Sequence, residues 1–290
     1  MSYRNMVLNW KPSPKDPRDK KFHTMRALRG AAPLVSLPPV YSLRAKCSPV
    51  RDQGPTGECT GESVVGAAEF LAMKTGDGKL PFQKSVKFAY YNGRRMMFPP
   101  QTLADSGCYI RTVIKAAARY GICAEAMWPE SNGYAAKPNV SAYADATRFQ
   151  LTEYASVEDD APANTLDNVR RTIYSGLPVC FGFDVYSSFM TDAVAKSGLA
   201  PIPTAAETIE GGHAVLAVGY DDIRSMVEVK NSWSAQWGDA GYFWLPYWFL
   251  LRGHASDFRV ISGQENGETA AGWFSGLPGY LFGHSERGAA

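Results

Sequence analysis

Apolar residues in the first half of the chain recur at the spacing of amphipathic helices. Between residues 61 and 75 they fall three, four and seven positions apart, as the apolar face of a helix requires. Two further segments of this half have helical character, and Gly121 ends the second of them, as glycine often does at a helix C-terminus. The pattern therefore predicts helices over 61–75, 85–95 and 106–120.

The second half of the chain has a different pattern. Short runs of β-branched and aromatic residues are separated by turn residues, which is typical of strands. The predicted strands cover 177–185, 213–221, 226–230 and 241–245, and one helix is predicted over 164–175. A helical half followed by a strand-rich half predicts an α+β protein with two lobes.

Both ends of the chain differ in composition from its middle. Residues 1–36, here named the leader, are rich in charge and proline, which excludes a long helix and predicts an extended segment. Residues 37–263 are predicted to form the folded domain. Residues 264–290 hold several glycines and aromatic side chains without a clear period, so this tail is either flexible or folded back on the body.

The charge of the chain is small overall but unevenly distributed. A net charge of +2 argues against nucleic acid as the main partner. Residues 1–30 hold eight basic and two acidic side chains, whereas the remainder holds 22 basic and 26 acidic ones. A basic leader on a mildly acidic body either docks on that body as an internal partner or remains a solvated tail.

The sequence shows no sign of a membrane segment. No apolar run reaches the roughly 18 residues that a membrane-spanning helix requires, so no membrane partner is expected. The first residues also lack an apolar block of signal-peptide length. We therefore expect a cytoplasmic location or export by a non-standard route.

The candidate nucleophile is Cys59, at the predicted start of the first helix. A thiolate is the reactive form of cysteine, and the positive end of a helix dipole lowers the pKa of a thiol. Glu58 opposes this effect unless its side chain points outward. Taken alone, Cys59 could equally be a small buried apolar residue.

Further polar residues complete a possible thiol-dependent site. His213 follows two glycines and opens an apolar strand, where an imidazole can face a cleft. Asn231 could orient that imidazole while Trp233 covers the bond, and Gln53 could donate its amide to an oxyanion. Each has an ordinary alternative as a core histidine, a turn residue, a packing tryptophan or a loop glutamine. Their joint occurrence with a cysteine favours nucleophilic catalysis.

These residues and their neighbours resemble the papain-like cysteine peptidases. The resemblance covers about residues 37–263 and is carried by PVRDQGPTGEC at 49–59, GHAVLAVGY at 212–220 and KNSWSAQWGDAGY at 230–242. It implies the papain-like two-lobe α+β fold, with a helical left lobe, a β-barrel-like right lobe and the active-site cleft between them.

The resemblance also implies which residues act in the site. The catalytic residues are Cys59, His213, Asn231 and Gln53. The residues implied to contact the substrate are Gly57, Gly107, Cys108, Tyr109, Ile110, Gly212, Ala214 and Trp233. Tyr109, Ile110 and Ala214 imply an apolar preference at the second position before the cut, or a basic residue is admitted there if Asp257 or its neighbours form the floor of the pocket.

The chain departs from the family beside the nucleophile. Thr56 and Thr60 stand where the family has a cysteine and an aromatic residue, so the disulfide from the first position is absent. Cys108 stands where a glycine is usual. The leader also lacks the long helical inhibitory prodomain of the plant and lysosomal enzymes. These features are similar to bacterial members of the family, such as xylellain.

Five cysteines leave at least one without an intramolecular partner. The resemblance puts Cys59 at the active site and Cys108 in the cleft. We therefore predict a disulfide between Cys47 and Cys123, and a buried free thiol at Cys180.

The leading hypothesis is a cysteine endopeptidase that acts on peptide or protein substrates and needs neither a metal nor a cofactor. A second hypothesis is that the leader lies along the cleft and inhibits the enzyme until it is removed. The alternatives are a catalytically silent binding module with the same fold and an acyltransferase with a related triad. Acyltransferases of that kind usually orient the histidine with Asp, whereas Asn231 suits a peptidase.

Overall fold

The computed structural model describes residues 6–21, 36–97 and 99–265. The rest of the leader and all but the first two residues of the predicted tail 264–290 lie outside the described residues. No helix within the described ranges is long and apolar enough to cross a membrane.

The helices of the described chain begin and end close to their sequence signals. They are α1 (Cys59–Thr75), α2 (Val86–Arg95), α3 (Ile110–Tyr120), α4 (Val140–Ala146), α5 (Pro162–Tyr174), α6 (Asp192–Ser197) and α7 (Tyr247–Leu251). The start of α1 at Cys59 confirms the predicted helix N-terminus at the candidate nucleophile. The Ser85 side chain caps α2, and Gly121 ends α3 in a left-handed conformation. α3 begins four residues later than predicted, because Tyr109 is extended and caps it.

The strands form one antiparallel sheet in the described part of the chain. They are β1 (Val40–Ser42), β2 (Leu151–Ser156), β3 (Val179–Tyr186), β4 (Ile209–Asp221), β5 (Met226–Lys230), β6 (Tyr242–Pro246) and β7 (Ala255–Gln264). Their order in the sheet is β2-β7-β3-β4-β5-β6, and β1 pairs with β4. The predicted strands correspond to β3, β4, β5 and β6, so the α+β class is confirmed.

Helix α1 joins the helical part of the molecule to the sheet. It packs against α2 and α3 on one side and against β3, β4 and β7 on the other. Its apolar residues share one core cluster with those of the sheet, which agrees with a helix buried on nearly all faces. Because Cys59 begins α1 and His213 lies on β4, the two residues come from opposite sides of this boundary.

The predicted disulfide between Cys47 and Cys123 is wrong, because all five cysteines are free. Cys47 packs against the main core, and its thiol lies 3.6 Å from the Leu43 carbonyl oxygen. Cys123 belongs to a second, smaller cluster between α2 and α4. The fold therefore does not bring the two side chains together. Cys180 is a buried free thiol on β3, as predicted.

Candidate active site

Cys59 is fully buried at the first turn of α1. Burial raises the pKa of its thiol to about 12, and hydrogen bonds from the backbone of Ala214 and Thr60 offset only part of that rise. Loss of hydration therefore outweighs the helix dipole, which favours the thiolate. In this closed arrangement Cys59 is a neutral thiol beside the residue that follows His213.

His213 lies at the centre of a defined hydrogen-bond arrangement. Its Nε2 is 2.8 Å from Asn231 Oδ1, and the same oxygen accepts a hydrogen bond from the Ser232 N–H. Because an amide oxygen can only accept, Nε2 must carry the proton and Nδ1 must be free of one. Nδ1 has no hydrogen-bond partner among the described residues. Burial lowers the pKa of His213 to about 4.

Aromatic side chains enclose this histidine. Trp233 is nearly parallel to the imidazole, with ring centroids 4.7 Å apart, and Phe183 meets the imidazole with its edge at 6.0 Å. Phe189 and Trp237 extend the layer behind Trp233. Trp233 thus stacks on the imidazole that bonds to Asn231, and the covering of that bond from water remains a prediction. Its contact with a substrate remains a prediction.

Gln53 is buried rather than being a surface loop residue. Its Nε2 donates to the Thr56 carbonyl oxygen at 2.7 Å, and the Thr56 hydroxyl donates back to the Gln53 carbonyl oxygen at 2.7 Å. Its Oε1 accepts from the Ser232 hydroxyl at 2.6 Å. These contacts fix the direction of the amide and tie residues 53–59, here named the glutamine loop, to the residue after Asn231.

Glu58 points inward, where the sequence alone did not define its direction. Its carboxylate is fully buried and lies 2.8 Å from Lys87 Nζ. The same ammonium group also approaches the Thr56 hydroxyl and pairs with Glu130. Burial raises the pKa of Glu58, and Lys87 opposes that rise. Lys87 was not predicted, because it lies on α2 and its sequence position carries no signal of a partner beside Cys59.

Part of the leader lies between the residues around Cys59 and those around His213. The Trp10 N–H donates to the Gly212 carbonyl oxygen at 3.0 Å, and the Gly212 N–H donates to the Leu8 carbonyl oxygen at 3.2 Å. Asn9 is paired with Gly212 in a parallel bridge. Residues 8–10 therefore lie alongside β4 and pair with it at Gly212, immediately before His213.

Glycines on the Cys59 side and on the His213 side of the cleft face residues 8–10 of the leader. A Cβ atom at Gly57 or Gly107 would overlap Asn9, and one at Gly212 would overlap Trp10. These three glycines are among the predicted substrate-contacting positions. Gly182 on β3 also lies against the Trp10 indole, and sequence reasoning missed it. Its signal is a glycine within a strand of bulky residues, which often marks a close approach.

The other predicted contact residues have different surroundings. The Cys108 thiol is buried 3.1 Å from the Thr112 hydroxyl, so it points into the helical part. Ile110 is fully buried in the main core, and Tyr109 is half-buried at the start of α3. Ala214 is buried, with its backbone against Cys59. Within the described ranges, no group of His, Cys, Asp or Glu side chains could hold a metal ion.

Asp257 contacts the leader and a neighbouring cation. Its carboxylate accepts hydrogen bonds from the Ser13 hydroxyl at 2.6 Å and from Arg259 Nε at 2.9 Å. Arg259 also pairs with Asp19 of the leader at 2.8 Å. A carboxylate already paired with an arginine is a poor receptor for a basic substrate residue. Asp257 therefore lends little support to the basic preference that the resemblance raised.

The ion pairs that the leader aspartates make with the body have the opposite sense to the predicted one. Asp19 pairs with Arg111 as well as with Arg259, and Asp16 lies 3.6 Å from Lys115. The basic side chains of this stretch are exposed. The contact between leader and body therefore rests on acidic leader residues paired with basic body residues, on backbone pairing with β4 and on the burial of Trp10.

Similar proteins show the family to which the chain belongs. A family model described as "Papain family cysteine protease" matches residues 37–247. An uncharacterized peptidase C1-like protein of Acanthamoeba polyphaga mimivirus is 37% identical over 215 residues, which cover 72% of this chain and 68% of that protein. Pro-cathepsin H of Bos taurus is 30% identical over 244 residues, which cover 79% of this chain and 64% of that protein.

A solved structure has the same architecture. Xylellain, a cysteine protease from Xylella fastidiosa, superposes with a TM-score of 0.75 at 32% identity, covering 89% of this chain and 97% of xylellain. The predicted similarity to xylellain and the papain-like two-lobe fold are thereby confirmed. The family model spans most of the chain and coincides with the residues that carry the cysteine, histidine and asparagine. The chain belongs to the papain family of cysteine proteases.

Proposed function

We propose that the chain is a cysteine endopeptidase whose cleft is closed by its own leader. The catalytic residues of this proposal are Cys59, His213, Asn231 and Gln53. The observation that carries it is the set of contacts of residues 8–10, which meet glycines on the Cys59 side and on the His213 side at once. A segment with these contacts excludes a substrate backbone from both sides.

The reaction follows from the positions of the donors and acceptors. Nδ1 of His213 takes the proton of the Cys59 thiol. The resulting thiolate attacks the scissile carbonyl carbon, and Gln53 Nε2 and the Cys59 N–H donate to the oxyanion that forms. One such donor typically lowers the barrier by about 2.7–4 kcal/mol. Nδ1 of His213 protonates the leaving amine and later accepts a proton from the water that hydrolyses the thioester. Asn231 holds the tautomer that leaves Nδ1 available.

The closed cleft also disfavours the reactive ionisation state. Cys59 and His213 are both fully buried, and burial raises the thiol pKa and lowers the imidazole pKa. Both shifts favour the neutral pair over thiolate and imidazolium, because buried charges lose their hydration. Removal of the leader would therefore open the substrate site and favour the nucleophilic thiolate in one step.

The Trp10 side chain indicates what the substrate presents. It is 5% exposed and lies against Gly182 and Gly212, where a Cβ atom would overlap the indole. The indole occupies the space that a side chain at position 182 would fill, so this glycine opens a recess of aromatic size on that face of β3. A substrate whose backbone pairs with Gly212 as the leader does would place a large aromatic side chain in this recess.

A cleavage profile over a peptide library tests the substrate preference. The protein is the full-length chain cut after folding at a protease site inserted between Lys21 and Ser36 and then freed of its leader peptide, which vacates the recess. Peptides with one large aromatic residue upstream of the cut should be preferred. Adding Gly182→Val should reduce their cleavage by about tenfold or more, because the valine fills the recess, while peptides with small residues there are spared. An unchanged profile would contradict the assignment of the recess.

The chemistry is tested by Cys59→Ala in the same chain. We expect complete loss of peptide cleavage and of labelling by a thiol-directed epoxide. Cleavage that survives the substitution would contradict the proposed nucleophile. Peptide binding without any cleavage by the unsubstituted cysteine would instead favour the silent binding module.

A further inference from the structure

We infer that Asp105 is a positioning residue that orients the Gln53 amide through the peptide unit between Thr56 and Gly57. The inference rests on the proposed function, in which Gln53 is an oxyanion donor. Asp105 Oδ2 accepts a hydrogen bond from the Gly57 N–H at 2.9 Å. The carbonyl oxygen of the same peptide unit, on Thr56, accepts from Gln53 Nε2 at 2.7 Å. One rigid peptide plane therefore links the carboxylate to the amide that would contact the oxyanion.

The second oxygen of Asp105 links the glutamine loop to Gly107, which lies on the same side of the cleft as Cys59, here named the Cys59 wall. The Tyr90 hydroxyl donates to Asp105 Oδ1 at 2.6 Å and accepts from the Gly107 N–H at 3.1 Å. Tyr90 lies on α2 and is fully buried, so this anchor is rigid. Gly57 and Gly107 are the two glycines of this wall that meet Asn9. Asp105 thus sets the spacing between the glutamine loop and the segment that faces the substrate.

The chain has a specific need for such a link. Thr56 stands where related enzymes carry a disulfide-bonded cysteine, and all five cysteines here are free. Without that covalent tie, the loop depends on hydrogen bonds to hold its peptide planes. A carboxylate acceptor gives a stronger bond than a neutral one. It also polarises the peptide unit, which makes the Thr56 carbonyl a better acceptor for Gln53.

The inference separates two reactions of the same cysteine. Acyl transfer from a peptide uses the oxyanion donors, whereas alkylation of the thiol by iodoacetamide forms no oxyanion. Loss of the Asp105 contact should therefore slow peptide hydrolysis and leave alkylation of Cys59 unchanged. A general loosening of the site would change both reactions.

In every variant the test uses the full-length chain, cut after folding at a protease site inserted between Lys21 and Ser36 and freed of its leader peptide. Asp105→Asn keeps one acceptor oxygen and loses the other, and we expect kcat to fall by about tenfold or more, below the loss from deleting an oxyanion donor. KM and the rate of alkylation at Cys59 should change by less than about twofold, because neither depends on the oxyanion donors. Mass spectrometry of the peptide that contains Cys59 follows the alkylation. The matched control is Asp77→Asn, an exposed aspartate near the opposite end of α1, which should leave both reactions unchanged.

A mutant cycle with Gln53→Ala makes the inference falsifiable even if Asp105→Asn lowers stability. If Asp105 acts through Gln53, Asp105→Asn should cost no further kcat once the glutamine is gone. Additive losses, or an alkylation rate that falls as far as kcat, would overturn the inference. If the leader-free chain with Asp105 and Gln53 intact alkylates at Cys59 but cleaves no peptide, the proposed function fails and the inference fails with it.

Discussion

The two walls of the cleft are stabilised by different interactions. On the Cys59 wall, a buried carboxylate pairs with Lys87, and hydrogen bonds hold the glutamine loop. On the His213 wall, the imidazole lies within aromatic rings, and the polar contact that orients it is with Asn231. Removing one member of a buried polar set leaves a charge or donor unpaired, whereas shortening an aromatic residue leaves only a small cavity. Damage to the first wall should therefore depend on pH, and damage to the second should not.

The largest effect is expected for Lys87→Met on the polar wall. It leaves Glu58 buried without its cation, and we expect a loss that approaches about 3–5 kcal/mol of unfolding free energy where Glu58 of the intact pair is ionised. Burial raises the pKa of Glu58 to about 8 in the intact pair, and removal of Lys87 raises it further. Below about pH 8 both folded proteins hold the proton on Glu58, so the loss relative to the unsubstituted protein should be smaller there and should grow as pH rises above that value. Urea unfolding at several pH values on both sides of that pKa measures it.

The comparator on the aromatic wall is Phe183→Leu. It should cost about 1 kcal/mol, with the pH dependence of the unsubstituted protein. Adding Glu58→Gln to Lys87→Met should restore part of the stability. A pH-dependent loss for Phe183→Leu, or none for Lys87→Met, would remove the distinction between the walls.

The next effect is on catalysis rather than on stability. Gln53→Ala removes the side-chain oxyanion donor, and kcat should fall by about 10²–10³. Alkylation of Cys59 should continue at nearly the original rate. Asn231→Ala, on the opposite wall, should slow both reactions, because it releases the imidazole that accepts the thiol proton. Stopped-flow alkylation beside steady-state hydrolysis compares the two, and equal behaviour of the variants would contradict the separate roles.

The last effect concerns the pH at which the leader detaches. In Cys59→Ala, His213 titrates without its thiol partner, with a pKa of about 4 under the leader against about 6.5 in water. As pH falls, His213 therefore binds a proton in the open state before it does so in the closed state. The closed state is fully stable above pH 6.5, and its equilibrium constant over the open state falls by up to about tenfold for each pH unit down to 4. Hydrogen exchange at the Gly212 and Trp10 amides, which pair the leader to β4, measures this opening.

The control for that prediction is Cys59→Ala combined with His213→Ala. Its opening should stay constant from pH 7 to pH 5. Equal acid dependence in both variants would assign the effect to a group other than His213.

The sequence predicted the features that depend on local pattern. The start of α1 at Cys59, the end of α3 at Gly121 and the span of β5 follow from helix and strand signals within a few residues. The papain-like fold was predicted from matched motifs and is confirmed by the family model and by xylellain.

Partners far apart in sequence could not be predicted. Asp105 meets Gly57 across 48 positions, and Lys87 meets Glu58 across 29, so neither residue type reveals its partner. The role of Gly182 as the place where the Trp10 indole packs is visible only in the folded structure. The predicted disulfide failed for the same reason, because cysteine spacing does not say which core cluster each thiol joins.

The central claim is that the leader closes a cleft in which Cys59 cleaves peptides. The most direct test inserts a site for an unrelated protease between Lys21 and Ser36 of the full-length chain, so that the protein folds intact and is then cut. Hydrolysis of an aromatic-containing peptide is measured before cutting, and again after cutting and removal of the leader peptide. We predict a large gain in hydrolysis after removal, and none when Cys59→Ala is treated in parallel. Equal hydrolysis before and after removal, or a gain that persists in Cys59→Ala, would contradict the account.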